Sequence, residues 1–343
     1  MTINNYDIQI DSLAIHWVGN KNNDDGIIIS KGEIELKDEI SSVLLKYFIS
    51  PIKNDELYEF THNSNIELNE VYNYVSKIFD NPKQLHKQSV LLAKFLYENS
   101  EHPNIKAGEF YIAYFSHCDI DNKNTDAVGI FKSENKDTFL EVRSDNTSFS
   151  IKSEQGININ RLDKGCIIYN LNKENGYVVS IIDNTNKGND AKYWINNFLH
   201  VIPQKDAYYN TQSILSFCKN FAKNELAQHP KVDQADFLNK SIRFFKENDQ
   251  FSLEKFTSEV IERPEIISSF NNYKTSFQEN NDIEILESFT ISESAVKKQI
   301  RSLKNVIKLD KNFDIHIYGN RNLIEQGIDE KGKYYKVYYI EES

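Results

Sequence analysis

Three groupings of residues have side chains and spacings that could do chemistry. Asp25, followed ten residues later by Glu35-Leu36-Lys37, has the residue types of a D…ExK arrangement. In such a site carboxylates hold Mg²⁺ and the lysine assists an attacking water. Spacings of this kind arise often in a chain with 27% charged residues, and a hairpin over residues 7–36 accounts for the same residues without a metal. His117, Asp119 and Asp121 stand at alternate positions, and DIDNKNTDAVGI invites comparison with a calcium loop. The comparison fails at the sixth position, Asn124 where glycine is needed, and at the twelfth, Ile130 where a bidentate glutamate belongs. A hairpin loop rich in Asp and Asn is expected there instead.

The third grouping is AVKKQIRSLKNVIKLDK, residues 295–311, with six positive charges and one negative in a chain of formal net charge −11. Thr290 and Glu293 have capping-box spacing, so a helix is expected to begin just after Thr290. At about 100° per residue, Val296, Ile300, Leu303 and Ile307 fall within a sector of about 40° and form a buried face. Lys297, Arg301, Lys304 and Lys308 fall in a neighbouring sector of about 60° by the same geometry. Such an edge is either a solvated flank, with lysine and arginine stems lying over the core margin, or a surface for phosphate contact. VIKLD also reads as a strand, which would take Lys308 off the helix. KYYKVYY (333–339) and YWINNFLHVIP (193–203) could offer stacking faces, although alternation in the first reads as a C-terminal strand with a wet tyrosine face.

The elements that must hold these groups follow from periodicity. A strand-like start, the turn-rich NKNNDDG and the run IIISKGEIEL read as a hairpin; DEISSVLLKYF reads as a helix ending before Pro51, and LYEF as a strand. Helices are expected over 66–80 and 83–99. From 107 to 183 the period is that of strands: EFYIAYFSHCDI, AVGIFKS, DTFLEVRS, GCIIYNL and GYVVSIID, an antiparallel meander in outline. Helical patterns run from 190 to about 280, with Ile214, Leu215, Cys218, Phe221 and Ala222 as a core stripe, and the last block reads strand, helix, strands. The expected fold is α+β: an N-terminal antiparallel sheet with helices over 1–205, then a mainly helical region ending in a small antiparallel sheet over 206–343.

Composition narrows the function classes. Two domains, or one large domain with an appendage, are expected for 343 residues. No apolar run approaches the roughly 20 residues needed to cross a bilayer, and MTINNYDIQIDSLAIHW lacks the make-up of a signal peptide, so a cytoplasmic protein without membrane contact is expected. Cys118, Cys166 and Cys218 form no CxxC and are expected to be buried thiols. GxSxG, HExxH, GxxxxGK[ST] and a strand-linked GxGxxG are missing, and 12 glycines leave little material for a phosphate-cradling loop. No enzyme, catalytic residue, metal or cofactor is predicted. Residues 1–205 hold 21 basic and 29 acidic side chains, and 206–343 hold 19 and 22, so any polyanion contact is expected in the second part.

INRLDKGCIIYN, GYVVSIIDN and AKYWINNFLHVIPQKDAYYNTQSILSFCKNF, with VKKQIRSLKNVIKLDKNFDIHIYGN near the end, resemble the NdpA-type (YejK-like) bacterial nucleoid-associated proteins. The matching positions are Asp163, Ile168, Asp183, Tyr193, Trp194, Phe198, Leu199 and Thr211. The resemblance implies a cytoplasmic, nucleoid-associated protein that binds DNA, works as a homodimer and contacts a type II topoisomerase. With it, the expectation is weakly sequence-selective DNA binding through backbone phosphates at Lys297, Arg301, Lys304 and Lys308. A protein-interaction subunit recruited to a DNA-processing or defence complex is the alternative, and a metal-dependent nuclease a third reading.

Overall fold

A computed structural model of the chain describes every residue except 1–2, 5–6, 53–54, 146, 185–192, 262, 302, 304–305, 310, 317–322 and 342–343. The fold is α+β, in two compact units, residues 1–204 and 205–343.

The first unit is built on β1 (Ile3–Asn4), β2 (Gln9–Val18), β3 (Ile27–Ile28), α1 (Asp38–Ile49), β4 (Leu57–Phe60), α2 (Glu70–Asp80), α3 (Leu85–Glu98), β5 (Gly108–Ile120), β6 (Lys123–Ser133), β7 (Asp137–Asp145), β8 (Ser148–Gly156), β9 (Lys164–Tyr169), β10 (Val178–Asp183), a π-helical segment Tyr193–Leu199 and β11 (Val201–Pro203). A nine-stranded sheet runs β11-β4-β10-β9-β6-β5-β2-β3, with β1 also on β5, and each of these pairings is antiparallel. Its central strands are apolar almost without interruption because both faces are covered. Along β5, Phe110, Ile112 and Tyr114 enter the core under α2 and α3, while Tyr111, Ala113 and Phe115 enter the one under α1. Phe48 of α1 stacks on Phe131 of β6 with centroids 4.1 Å apart.

Two sequence expectations change here. IIISKGEIEL contributes only the two residues of β3, paired Trp17↔Ile28 and Val18↔Ile27. Beyond Ser30 charged residues alternate with apolar ones and the Ile34 N–H donates to Leu13 O of β2 at 2.8 Å, but no continuous ladder follows. β8 was not expected, because SFSIKSEQG has too few large apolar residues to read as a core strand; it pairs with β7 alone. The loop at DIDNKN is a two-residue hairpin turn, with Asp121 and Asn122 at φ 50° and 62°, left-handed values that short polar side chains tolerate.

The second unit contains α4 (Ala207–Asn224), α5 (Lys231–Glu247), β12 (Gln250–Ser252), α6 (Leu253–Phe256), α7 (Pro264–Asn281), β13 (Ser288–Thr290), α8 (Glu293–Ile300), β14 (Val306–Leu309), β15 (Phe313–His316), β16 (Ile324–Asp329) and β17 (Gly332–Val337). Its core is rich in phenylalanine. Phe217 and Phe221 of α4 meet Phe270 of α7 edge-to-face at 4.8 and 5.1 Å, an arrangement favoured by the ring quadrupoles. The stripe Ile214, Leu215, Cys218, Phe221 and Ala222 is buried as expected.

α8 is shorter than its basic stripe requires. Ser292, not Thr290, is the N-cap, its Oγ accepting from the Ala295 N–H, and the helix ends at Ile300 with Arg301 as C-cap. Val306 and Ile307 are β-branched and favour extended backbone, and they pair with His316 and Ile315 of β15. The apolar stripe is therefore divided. Val296 and Leu303 enter the phenylalanine core, whereas Ile307 packs with Val232, Ala235 and Ile324 in a smaller core.

Candidate nucleic-acid interface

The four cations expected to share one helix edge do not do so. Lys297 is on α8 and exposed, with its Nζ 2.6 Å from Glu293 Oε1. That contact holds the Glu293 carboxyl below its usual range, so this part of the edge is locally neutralised. Arg301 is exposed in the turn that closes the helix, and Lys304 lies outside the described residues. Lys308 is on β14, exposed, with Asp314 as its cross-strand neighbour.

Lys308 instead joins cations that sequence reading did not single out. With Lys219 and Lys223 of α4 and Lys231 of α5 it lines a cleft of about 610 Å³, whose lining among the described residues includes four lysines and no acidic residue. Local structure accounts for each position. Asp206 caps α4, accepting from the Tyr209 N–H at 2.9 Å, and burial of Phe217, Cys218 and Phe221 turns Lys219 and Lys223 outward one helical turn apart. Gln234 Nε2 donates to Leu226 O at 2.6 Å and ties the start of α5 to the turn that follows α4, while Lys231 Nζ donates to Gln234 Oε1 at 3.1 Å. Burial of Ile307 against Val232 and Ala235 seats β14 on α5.

Like charges at i and i+4 repel, at a cost of a few tenths of a kcal/mol, and among the described lining residues no carboxylate relieves it. An anion would. The floor contributed by Leu303, Val306 and Ile307 is apolar, so the cleft combines cations at its rim with a surface for lysine stems or flat rings. The signal for Lys219 and Lys223 was their spacing on the wet face of a helix whose buried stripe was already legible.

The positions that carry the family resemblance do different work. Asp163, Asp183 and Tyr193 converge on a buried ionic cluster in the first unit. Tyr193 Oη donates to Glu134 Oε1 at 2.9 Å; Lys164 Nζ lies 3.2 Å from Glu134 Oε2 and 3.5 Å from Asp183 Oδ1; Lys132 Nζ lies 3.4 Å from Glu134 Oε1. Asp163 accepts the Glu134 and Asn135 N–H groups at 2.7 and 2.8 Å. Burial pulls the Lys132 ammonium below the lysine range, opposed by Glu134. Trp194, Phe198, Leu199 and Ile168 are core residues. Thr211 Oγ1 donates to Ala207 O and accepts the Ser292 N–H, joining α4 to the start of α8. All eight positions are structural.

A family model described as nucleoid-associated protein YejK matches residues 14–332. The chain belongs to that family. No curated protein matches it. The match of this YejK-family chain runs through both units.

The remaining candidates are accounted for by structure. Asp25 Oδ2 accepts the Asn20 N–H at 2.9 Å and braces its loop, while Glu35 and Lys37 are exposed. The three cysteines are free and buried, and burial pushes the Cys118 thiol up to about 12, far from nucleophilic use. Among the described residues no helix is long and apolar enough to cross a membrane.

Proposed function

We propose that this YejK-family chain binds DNA directly, through backbone phosphates, at the cleft formed by Lys219, Lys223, Lys231 and Lys308, with Arg301 as a further contact. The observation that carries this reading is a group of lysines lining one cleft, with no carboxylate among the described lining residues, in a chain of net charge −11. Lysine is a compact point charge on a flexible stem, well suited to phosphate and without the rigid fork of arginine. Binding is therefore weakly sequence-selective and steeply salt-dependent. Of the expected helix edge, Lys297 contributes least because Glu293 is already its partner, and Lys304 is retained as a contact on the sequence pattern alone.

In this reading the protein acts in the cytoplasm on the nucleoid, as a homodimer that doubles the cationic surface. A type II topoisomerase is the protein partner that the family resemblance implies. No catalytic step is assigned.

The test is fluorescence anisotropy with long duplex DNA across a salt series, for the wild-type chain and for a Lys219→Glu, Lys223→Glu, Lys231→Glu variant. Loss of binding in the variant with its fold retained supports the cleft. Equal binding by both overturns it, and no binding by the wild-type chain even at low salt turns the reading to a protein-interaction subunit.

A further inference from the structure

The hairpin β7–β8 leaves the large sheet between two strands, β6 and β9, that pair directly with each other. It is a two-stranded sheet of its own, in unbroken register from Asp137↔Gly156 to Asp145↔Ser148. Cross-strand partners share a face, so the register sorts every side chain to one side or the other. One side carries Asp137, Glu141, Arg143, Asp145, Lys152 and Glu154, all the charged residues of the two strands. The other carries Leu140, Val142, Phe149 and Ile151 among Thr, Ser and Gln, with no charge at all.

The charged side is complete as it stands. Arg143 Nη2 lies 2.7 Å from Glu141 Oε1, and the ring of Phe139 lies where a Cβ on Gly156 would come within 2.9 Å of it. The uncharged side is not. Phe149 is 78% exposed, and Leu140 and Ile151 are each 67% exposed. A lone two-stranded hairpin is marginal in water without a covered apolar face.

We infer that this face is where a second copy of the chain docks, the apolar faces of two β7–β8 hairpins stacking about a two-fold axis. This rests on the dimeric reading above and assigns its interface. Two features favour an identical partner at this face, which has Val142 and Ile151 at its centre. Its lack of charge lets two chains of net charge −11 approach without opposing like charges across the contact. Two such faces bury on the order of 1,000 Å², the lower bound for a specific interface, so the dimer should be concentration-dependent.

Sedimentation equilibrium on the full chain over a wide concentration range tests this. Val142→Glu with Phe149→Glu, both at exposed positions, is expected to raise the dimer dissociation constant about 100-fold, as loss of central apolar anchors does. Arg143→Ser, on the charged side, should leave it unchanged. Because two acidic substitutions could disturb the hairpin itself, Val142→Cys supplies a positive test. The native thiols are buried, so mild oxidation should join two Val142→Cys chains through one disulfide across the axis. A wild-type dimer unaffected by the double substitution, with Val142→Cys chains that stay unlinked, overturns the interface and leaves the dimer standing. A wild-type chain monomeric at every concentration overturns both.

Discussion

Tyr193 Oη donates to Glu134 Oε1 at 2.9 Å, and the same carboxylate, 4% exposed, faces the ammonium groups of Lys132 and Lys164. One anion thus holds two buried cations. Replacing Glu134 by Gln leaves both without their shared partner, and breaking a buried pair in this way costs about 3–5 kcal/mol. Urea denaturation of Glu134→Gln should show that loss in the residue 1–204 unit. A change below about 1 kcal/mol, the size seen for exposed pairs, would mean that the cluster is stabilised mainly by Asp163 and Asp183.

His16 supplies a pH dependence. It is 2% exposed; the Ser30 N–H approaches Nδ1 at 3.2 Å and Ser89 Oγ lies 2.9 Å from Nε2. A backbone N–H can only donate, so Nδ1 accepts and Nε2 carries the proton. Burial, with His86 nearby, lowers the imidazole from 6.5 to about 4. The unfolded chain then takes up a proton before the folded one does. Stability is full above pH 6.5, falls as the pH drops toward 4, and levels off below it, for a total of about 3 kcal/mol. His16→Asn should flatten the dependence of the urea midpoint on pH across that window; an unchanged slope would rule out His16 as its source.

Val296, 3% exposed in the phenylalanine core, separates packing from charge on α8. Val296→Asp buries an unpaired carboxylate and should abolish the cooperative transition of the residue 205–343 unit. Lys297→Gln, one residue on, should leave that transition within about 0.5 kcal/mol, the range of ordinary surface substitutions. Near-ultraviolet circular dichroism on melting distinguishes the two.

The lysine cleft predicts a number. Each phosphate contact contributes about −0.9 to the slope of log K against log salt on duplex DNA. Lys219→Gln with Lys223→Gln should make the slope shallower by about 1.8, without loss of stability because a repelling i, i+4 pair is removed. An unaltered slope would show that phosphates do not approach α4.

Thr211 tests the join between α4 and α8. Its hydroxyl is fully buried, and Thr211→Val leaves the Ser292 N–H and the Ala207 carbonyl without it, at about 1–3 kcal/mol. The thermal midpoint of Thr211→Val should fall accordingly, while Thr211→Ser should recover most of the loss.

Much of the fold was legible because its signals are local. The i, i+3, i+4 spacing of Ile214, Leu215, Cys218 and Phe221 identifies the inward face of α4 without any partner being known, and the unbroken apolar run of β5 marks a strand covered on both sides. The limits of α8 were not legible, since at VIKL helix and strand patterns compete and pairing with FDIH decides between them. The hairpin β7–β8 was half legible: alternation is plain in DTFLEVRS, but SFSIKSEQG becomes a strand only through the register that sorts its residues against β7.

Taken alone, the order of residues determined the α+β class, the inward face of each long element and the excess of cations near residue 300, because these depend on composition and on periods of two and 3.6. Which cations stand together was decided by tertiary structure. Lys308 is far along the chain from Lys219 and Lys231, and they share one cleft because Ile307 is buried on Val232 and Ala235 while Gln234 ties α5 to the turn after α4. Burial of apolar side chains, not attraction among the charges, brings the lysines together, and like charges held by packing are left to be answered by an anion.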